Sequence, residues 1–156
     1  MVAKNHENDK KDKLLFKWTR GESTTFEELG GDETFPNNIR DYSFCLYPAG
    51  GGQSLAETEI WAGSEWRALG INEGFKYRAL PIENEGTRKI VLKASDANKT
   101  KAIFLAKGEF IPDEPAVPVG LPVTAALVNR ATGLCMGTTF SSAAKNDDGL
   151  FRAVVK

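Results

Sequence analysis

From Leu14 to Val155 the chain is a succession of short apolar runs, most alternating with polar residues and nearly all bounded by Gly, Pro, Asn or Asp. A period of two marks half-buried strands, and no stretch carries the three-to-four spacing of a long amphipathic helix. In LLFKWTR, Leu14, Phe16 and Trp18 fall on one face of an extended strand, with Lys17 and Thr19 on the other. In RDYSFCLYPAGGG, Tyr42, Phe44 and Leu46 oppose Ser43, Cys45 and Tyr47, so both faces are expected to be partly covered. Further strands are expected in ETEIWAGSEWRALG, FKYRALPI, TRKIVLKAS, KAIFLAKGEF, VTAALVN, LCMGTTF and LFRAVVK. Asp96, Ala97, Asn98 and Lys99 read as a hairpin turn, and NRATG and KNDDG as two more turns. Pro112, Pro115, Pro118 and Pro122 prevent ladder pairing over 112–122, which reads as a crossover between sheets. The expected fold is all-β: a two-layer antiparallel β-sandwich of roughly eight to ten strands.

A chain of 156 residues fits one ordinary domain, taken here as 14–156. Residues 1–13, MVAKNHENDKKDK, carry Met, Val and Ala as their only apolar groups. They read as a polar arm that alone would be mobile, or would dock on a neighbouring subunit. Twenty basic and twenty-one acidic side chains leave a formal charge of −1, which provides no global field for nucleic acid or an anionic membrane. No apolar stretch approaches the ~20 residues of a bilayer span, and the amino terminus lacks the apolar core of a signal peptide.

Chemistry-bearing patterns are sparse. The single His is His6, in the polar arm, and the two cysteines lie far apart, so nucleophile, general-base and metal-ligand sets have little to draw on. Glu57 and Glu59 share a strand face at a spacing compatible with acid and base roles, although solvated same-face glutamates are far commoner. Asp32, Glu33, Asp96, Asp113, Glu114, Asp147 and Asp148 invite a calcium reading, but none matches a known loop pattern, and Asn and Asp beside Gly are turn formers first. AGGGQS lacks the Lys and following helix of a phosphate loop and reads as a flexible turn. No cofactor is expected. Trp61 and Trp66, as a stacking platform for a sugar ring, are weighed against ordinary core packing.

RDYSFCLYPAGG, WRALGINEGFKYRAL and KIVLKASDANKTKAIFLAKG, followed by PVTAALVNRATGLCMGTTFSSAAKNDDGLF, resemble an uncharacterised β-rich module found at the carboxyl ends of secreted or surface proteins of Proteobacteria and related environmental bacteria. The resemblance places Asp41, Ser43 and Cys45 in a D-x-S-x-C strand, Trp66 and Tyr77 in a W…G-x-x-Y segment, and Leu92, Lys93, Ala102 and Ile103 in a hairpin. Pro122, Val123, Thr124, Leu127 and Asn129 begin the closing tail, which ends on Cys135, Phe140, Asn146 and Phe151. Met136 stands where the pattern more often has an aromatic, and Pro48 where it has Asp. The resemblance implies a location outside the cell and offers no catalytic position. In an exported protein a Cys45–Cys135 disulfide is plausible, closing a loop of about ninety residues worth roughly 4–5 kcal/mol on the chain-entropy model; two buried free thiols are the alternative.

The function expected is a non-enzymatic accessory, adhesive or assembly module on or outside a bacterial cell. It would act through protein contacts, as a filament or oligomer subunit, with an edge strand or the amino-terminal arm adding to a neighbour's sheet. A carbohydrate-binding module using Trp61 or Trp66 is one alternative, and a viral coat or decoration protein is another.

Overall fold

The computed structural model of the chain describes residues 1–31, 41–48, 50–79, 84–111, 115 and 117–155. It is all-β, with two antiparallel sheets of eight and four strands that stack around one core. The strands in chain order are β1 (Val2–Lys4), β2 (Lys13–Gly21), β3 (Tyr42–Pro48), β4 (Ala56–Ile60), β5 (Trp66–Ala68) and β6 (Gly74–Arg78). They continue as β7 (Thr87–Lys93), β8 (Thr100–Lys107), β9 (Val123–Asn129), β10 (Cys135–Phe140), β11 (Lys145–Asp147) and β12 (Leu150–Arg152). The large sheet runs β11-β12-β1-β2-β8-β7-β6-β5, and the small one β10-β9-β3-β4.

The period-two reading decides which side chains meet between the sheets. Phe16, Phe104, Ile90, Leu92, Phe75 and Tyr77 of the large sheet are buried against Tyr42, Phe44, Leu46, Val123, Ala125 and Leu127 of the small one. Phe44 stacks on Phe104 with ring centroids 4.4 Å apart and planes within 3°, which joins the two layers. Trp66 lies between Tyr42 at 5.6 Å and Tyr77 at 5.1 Å. Such ring pairs add about 0.5–1.5 kcal/mol each beyond the area they bury.

The β7–β8 hairpin forms where expected, its turn closed by Lys99 N–H donating to Asp96 C=O at 3.1 Å. The chain changes sheets between β8 and β9, as the proline-rich reading of 112–122 required; Pro112, Asp113 and Glu114 lie outside the described residues. After β2, Thr25 and Glu28 form a reciprocal capping box: Thr25 N–H donates to Glu28 at 2.7 Å and Glu28 N–H to Thr25 Oγ1 at 3.2 Å. Phe26 stacks on Phe75 at 4.7 Å. The Leu29 carbonyl accepts from Tyr42 Oη at 2.8 Å and from Asn129 Nδ2 at 3.2 Å, which fastens this loop to the small sheet.

The polar-arm reading of residues 1–13 is corrected. Val2–Lys4 forms β1, inserted between β12 and β2, and Ala3 is 2% exposed. Asn8 caps a 3-10 turn over Asp9–Lys11, and buried Asp12 accepts from His6 N–H at 2.6 Å. A three-residue strand is too short to show periodicity, and its charged flanks are used in local turns. KNDDG is also only partly a turn, because Lys145–Asp147 is β11 and the chain reverses at Asp148 and Gly149, both with positive φ.

Candidate functional site

β1 reaches only to Leu15 on its neighbour, whereas β2 continues to Gly21, held on its far side by β8. Among the described residues, no strand pairs with the β1-facing edge of β2 beyond Leu15, and none pairs with the outer edge of β10. Between these two open edges lies a groove of about 750 Å³. Trp18, Thr19 and Arg20 line it from β2, Thr138 and Phe140 from β10, and Ala153, Val154 and Val155 from the segment after β12. Val154 and Val155 are 66% and 55% exposed, so the wall they form is apolar and open to solvent.

Local backbone geometry shapes one side of the groove. The β2–β8 register slips between Thr19 and Gly21, and Arg20 sits in the left-handed region at φ 63°. A non-glycine residue held there costs on the order of 1 kcal/mol, and a bulge of this kind re-aims a side chain and ends regular pairing. Gly21 lies under the Trp18 ring: a Cβ there would lie 1.8 Å from Cη2 of Trp18, so any side chain at this position has to displace the ring.

The groove is electropositive. Lys17, Arg20 and Arg152 line it, with no acidic side chain among its lining residues. The Met1 ammonium, which donates to the Ala153 carbonyl at 2.6 Å, also lines it; burial lowers its pKa below the ordinary value, and Arg152 and Lys17 lower it further. An extended peptide laid along the open edge of β2 would find backbone partners there, apolar walls for alternate side chains and cations for carboxylates.

The remaining edges differ. The Glu59 N–H of β4 donates to the Glu85 carboxylate at 2.7 Å, and Glu85 is itself held at φ 52° in a 3-10 turn. That edge is capped. β5 and β11 are three residues each, a usual way of blunting an edge. β10, CMGTTF, has six residues and neither charge nor proline.

The residues singled out from sequence take different places. Cys45 is buried and Cys135 exposed, and both are free thiols, which corrects the disulfide reading. Cys45 lies on β3 and Cys135 on β10, with β9 between them, at registers Ala126 and Val128. Two strand spacings, ~9.5 Å, exceed the ~7 Å Cα separation a disulfide can bridge. Trp66 is 2% exposed and donates through Nε1 to the Trp61 carbonyl at 3.2 Å, so it is core and cannot stack on a ligand. Trp61 is 54% exposed, and the two rings do not form one platform. Glu59 pairs with Arg130, while Glu57 accepts from Ser54, so these carboxylates serve separate contacts. Asp147 and Asp148 hold Lys145 at 2.5 and 3.5 Å. Asp32, Glu33, Asp113 and Glu114 lie outside the described residues. Among the described residues no group of three His, Cys, Asp or Glu side chains is placed to hold a metal.

The groove residues were missed from sequence because they depend on where β1 stops. The one local signal is KWTRG, where the alternation fails at Arg20. Comparison with protein-family models, curated proteins and solved structures finds no match to this chain.

Proposed function

We propose that this chain is a non-enzymatic docking module that acts through protein–protein contacts, receiving an extended, acidic segment of a partner protein as a strand added to the open edge of β2, along the groove that faces β10. The observation that carries this reading is the pair of open strand edges flanking one electropositive groove. Main-chain hydrogen bonds would supply affinity, while Lys17, Arg20 and Arg152 would select acidic side chains. The resemblance supports placing this activity on or outside a bacterial cell.

The test is amide NMR with capped hexapeptides of alternating valine and glutamate. Shifts confined to Lys17–Arg20 and Thr138–Phe140, absent with the valine–lysine counterpart and with a backbone N-methylated version, are expected. No perturbation at millimolar peptide, or an equal response to the methylated peptide, removes the reading. Sedimentation velocity distinguishes a second copy from a different partner as the natural source of the strand.

A further inference from the structure

The near-neutral charge of the whole chain conceals a strict division between its sheets. The strands of the large sheet carry many Lys and Arg and a single acid, Asp147 on edge strand β11. The strands of the small sheet carry two charged residues, Glu57 and Glu59, both acidic. Because the large sheet turns its aromatic residues inward, its cations collect on the outer face.

Strand register places these cations directly opposite one another. Lys13 faces Lys4 on one side and Lys107 on the other. Lys89 faces Arg78, Lys93 faces Lys101, and Lys76 faces Arg67. Like charges opposite each other across strands destabilise a sheet. Among the described residues none of these cations is in an ion pair. A fold that retains unrelieved repulsion along one face breaks a local rule, and such departures mark surfaces kept for binding.

Between the cations lie Leu15, Ile103, Leu105 and Val91, all half-buried. Aliphatic stems of lysine can lie along such positions while the ammonium groups stand clear. The charges spread across several strands and several residues along each, so the pattern is a surface rather than a track. Aromatic platforms, on which single-stranded nucleic acid stacks, are absent from this face among the described residues. Lysine predominates over arginine, which suits diffuse negative charge better than bidentate recognition of bases.

We infer that the outer face of the large sheet docks peripherally on an anionic lipid bilayer. Ammonium groups meet the headgroups, and the aliphatic centre rests against the interface. Leu15 also lines the groove, but none of the opposed cations does, so this inference does not rest on strand capture.

Vesicle co-sedimentation tests it, with phosphatidylglycerol in phosphatidylcholine set against pure phosphatidylcholine. Binding is expected only to the anionic vesicles and is expected to weaken about tenfold or more between 50 and 200 mM salt, as screening of exposed charge requires. The triple variant Lys76→Glu, Lys89→Glu, Lys101→Glu should lose at least about tenfold in affinity. None of the three lines the groove, so the peptide response should survive. The matching Lys→Gln variant, which relieves repulsion, should melt no lower than the parent and still lose vesicle binding. Failure to bind anionic vesicles, undiminished binding by either variant, or capture of heparin or duplex DNA without vesicle binding would overturn the inference.

Discussion

Asn146 pairs with the backbone of Val119 as though it were a strand: its Nδ2 donates to the Val119 carbonyl at 2.8 Å, and its Oδ1 accepts from the Val119 N–H at 2.8 Å. Val119 is 3% exposed and belongs to the segment that carries the chain from one sheet to the other. One amide side chain on β11 thus anchors the crossover. Asn146→Ala leaves two backbone groups without partners and should cost about 2–4 kcal/mol, read by urea denaturation. Asn146→Asp replaces the donor with an acceptor facing a carbonyl and should cost at least as much.

Asn129 gives a second test of buried amides. Its Oδ1 accepts from the N–H groups of Ala131 and Thr132, both at 2.9 Å, while its Nδ2 reaches Leu29. Asn129→Leu conserves volume but removes the turn and the loop anchor together, with an expected loss of about 3 kcal/mol. Hydrogen exchange should show the turn amides of Ala131 and Thr132 losing protection first.

The two tryptophans near β5 should separate cleanly. Trp66→Ala removes a ring packed against two tyrosines and should cost about 3–5 kcal/mol, whereas Trp61→Ala should change stability by no more than about 1 kcal/mol. Denaturant midpoints of both variants check this. Comparable costs would show that Trp61 also holds the core.

Tyr42 couples stability to alkaline pH. Burial raises its hydroxyl pKa well above the ordinary 10.0, with Asn129 opposing that shift. The unfolded chain therefore loses this proton first as pH rises. The resulting contribution is complete below about pH 10 and falls away above it. Tyr42→Phe should flatten the loss of stability between pH 9 and 11, while costing about 1–2 kcal/mol at neutral pH through the bond to Leu29.

The thiols should react in a fixed order. Burial raises the pKa of Cys45, and a lesser burial raises that of Cys135. Cys135 is exposed and Cys45 is not. Iodoacetamide at pH 8 should alkylate Cys135 first, with Cys45 modified only on unfolding, as peptide mapping would show. Recovery of a Cys45–Cys135 crosslinked peptide from the native protein would contradict the register of β3, β9 and β10.

Long alternating runs announced themselves in the sequence. Leu14, Phe16 and Trp18, or Tyr42, Phe44 and Leu46, each repeat a two-residue period often enough to identify both strand and buried face. β1 did not, because three residues cannot establish a period and its partners lie at opposite ends of the chain. The groove was equally hidden, since it arises where β1 stops short of β2's full length. Cys45 and Cys135 sit within strands as expected, but whether two cysteines meet depends on strand order, which alternation does not encode. The basic face was present all along in the outward positions of each strand; only the register turned scattered lysines into neighbours.

The cap that Glu85 places over β4 has a consequence for how copies of this chain can associate. With one margin of the four-stranded layer obstructed and β10 accessible, pairing by that layer alone joins two molecules head to head about a two-fold axis and then has nowhere to continue. A self-complementary junction of this kind terminates at a dimer instead of growing into a fibre. Glu85→Ala frees one N–H of that margin while the turn over Asn84–Gly86 still packs on it, so the variant should gain little tendency to polymerise in sedimentation velocity.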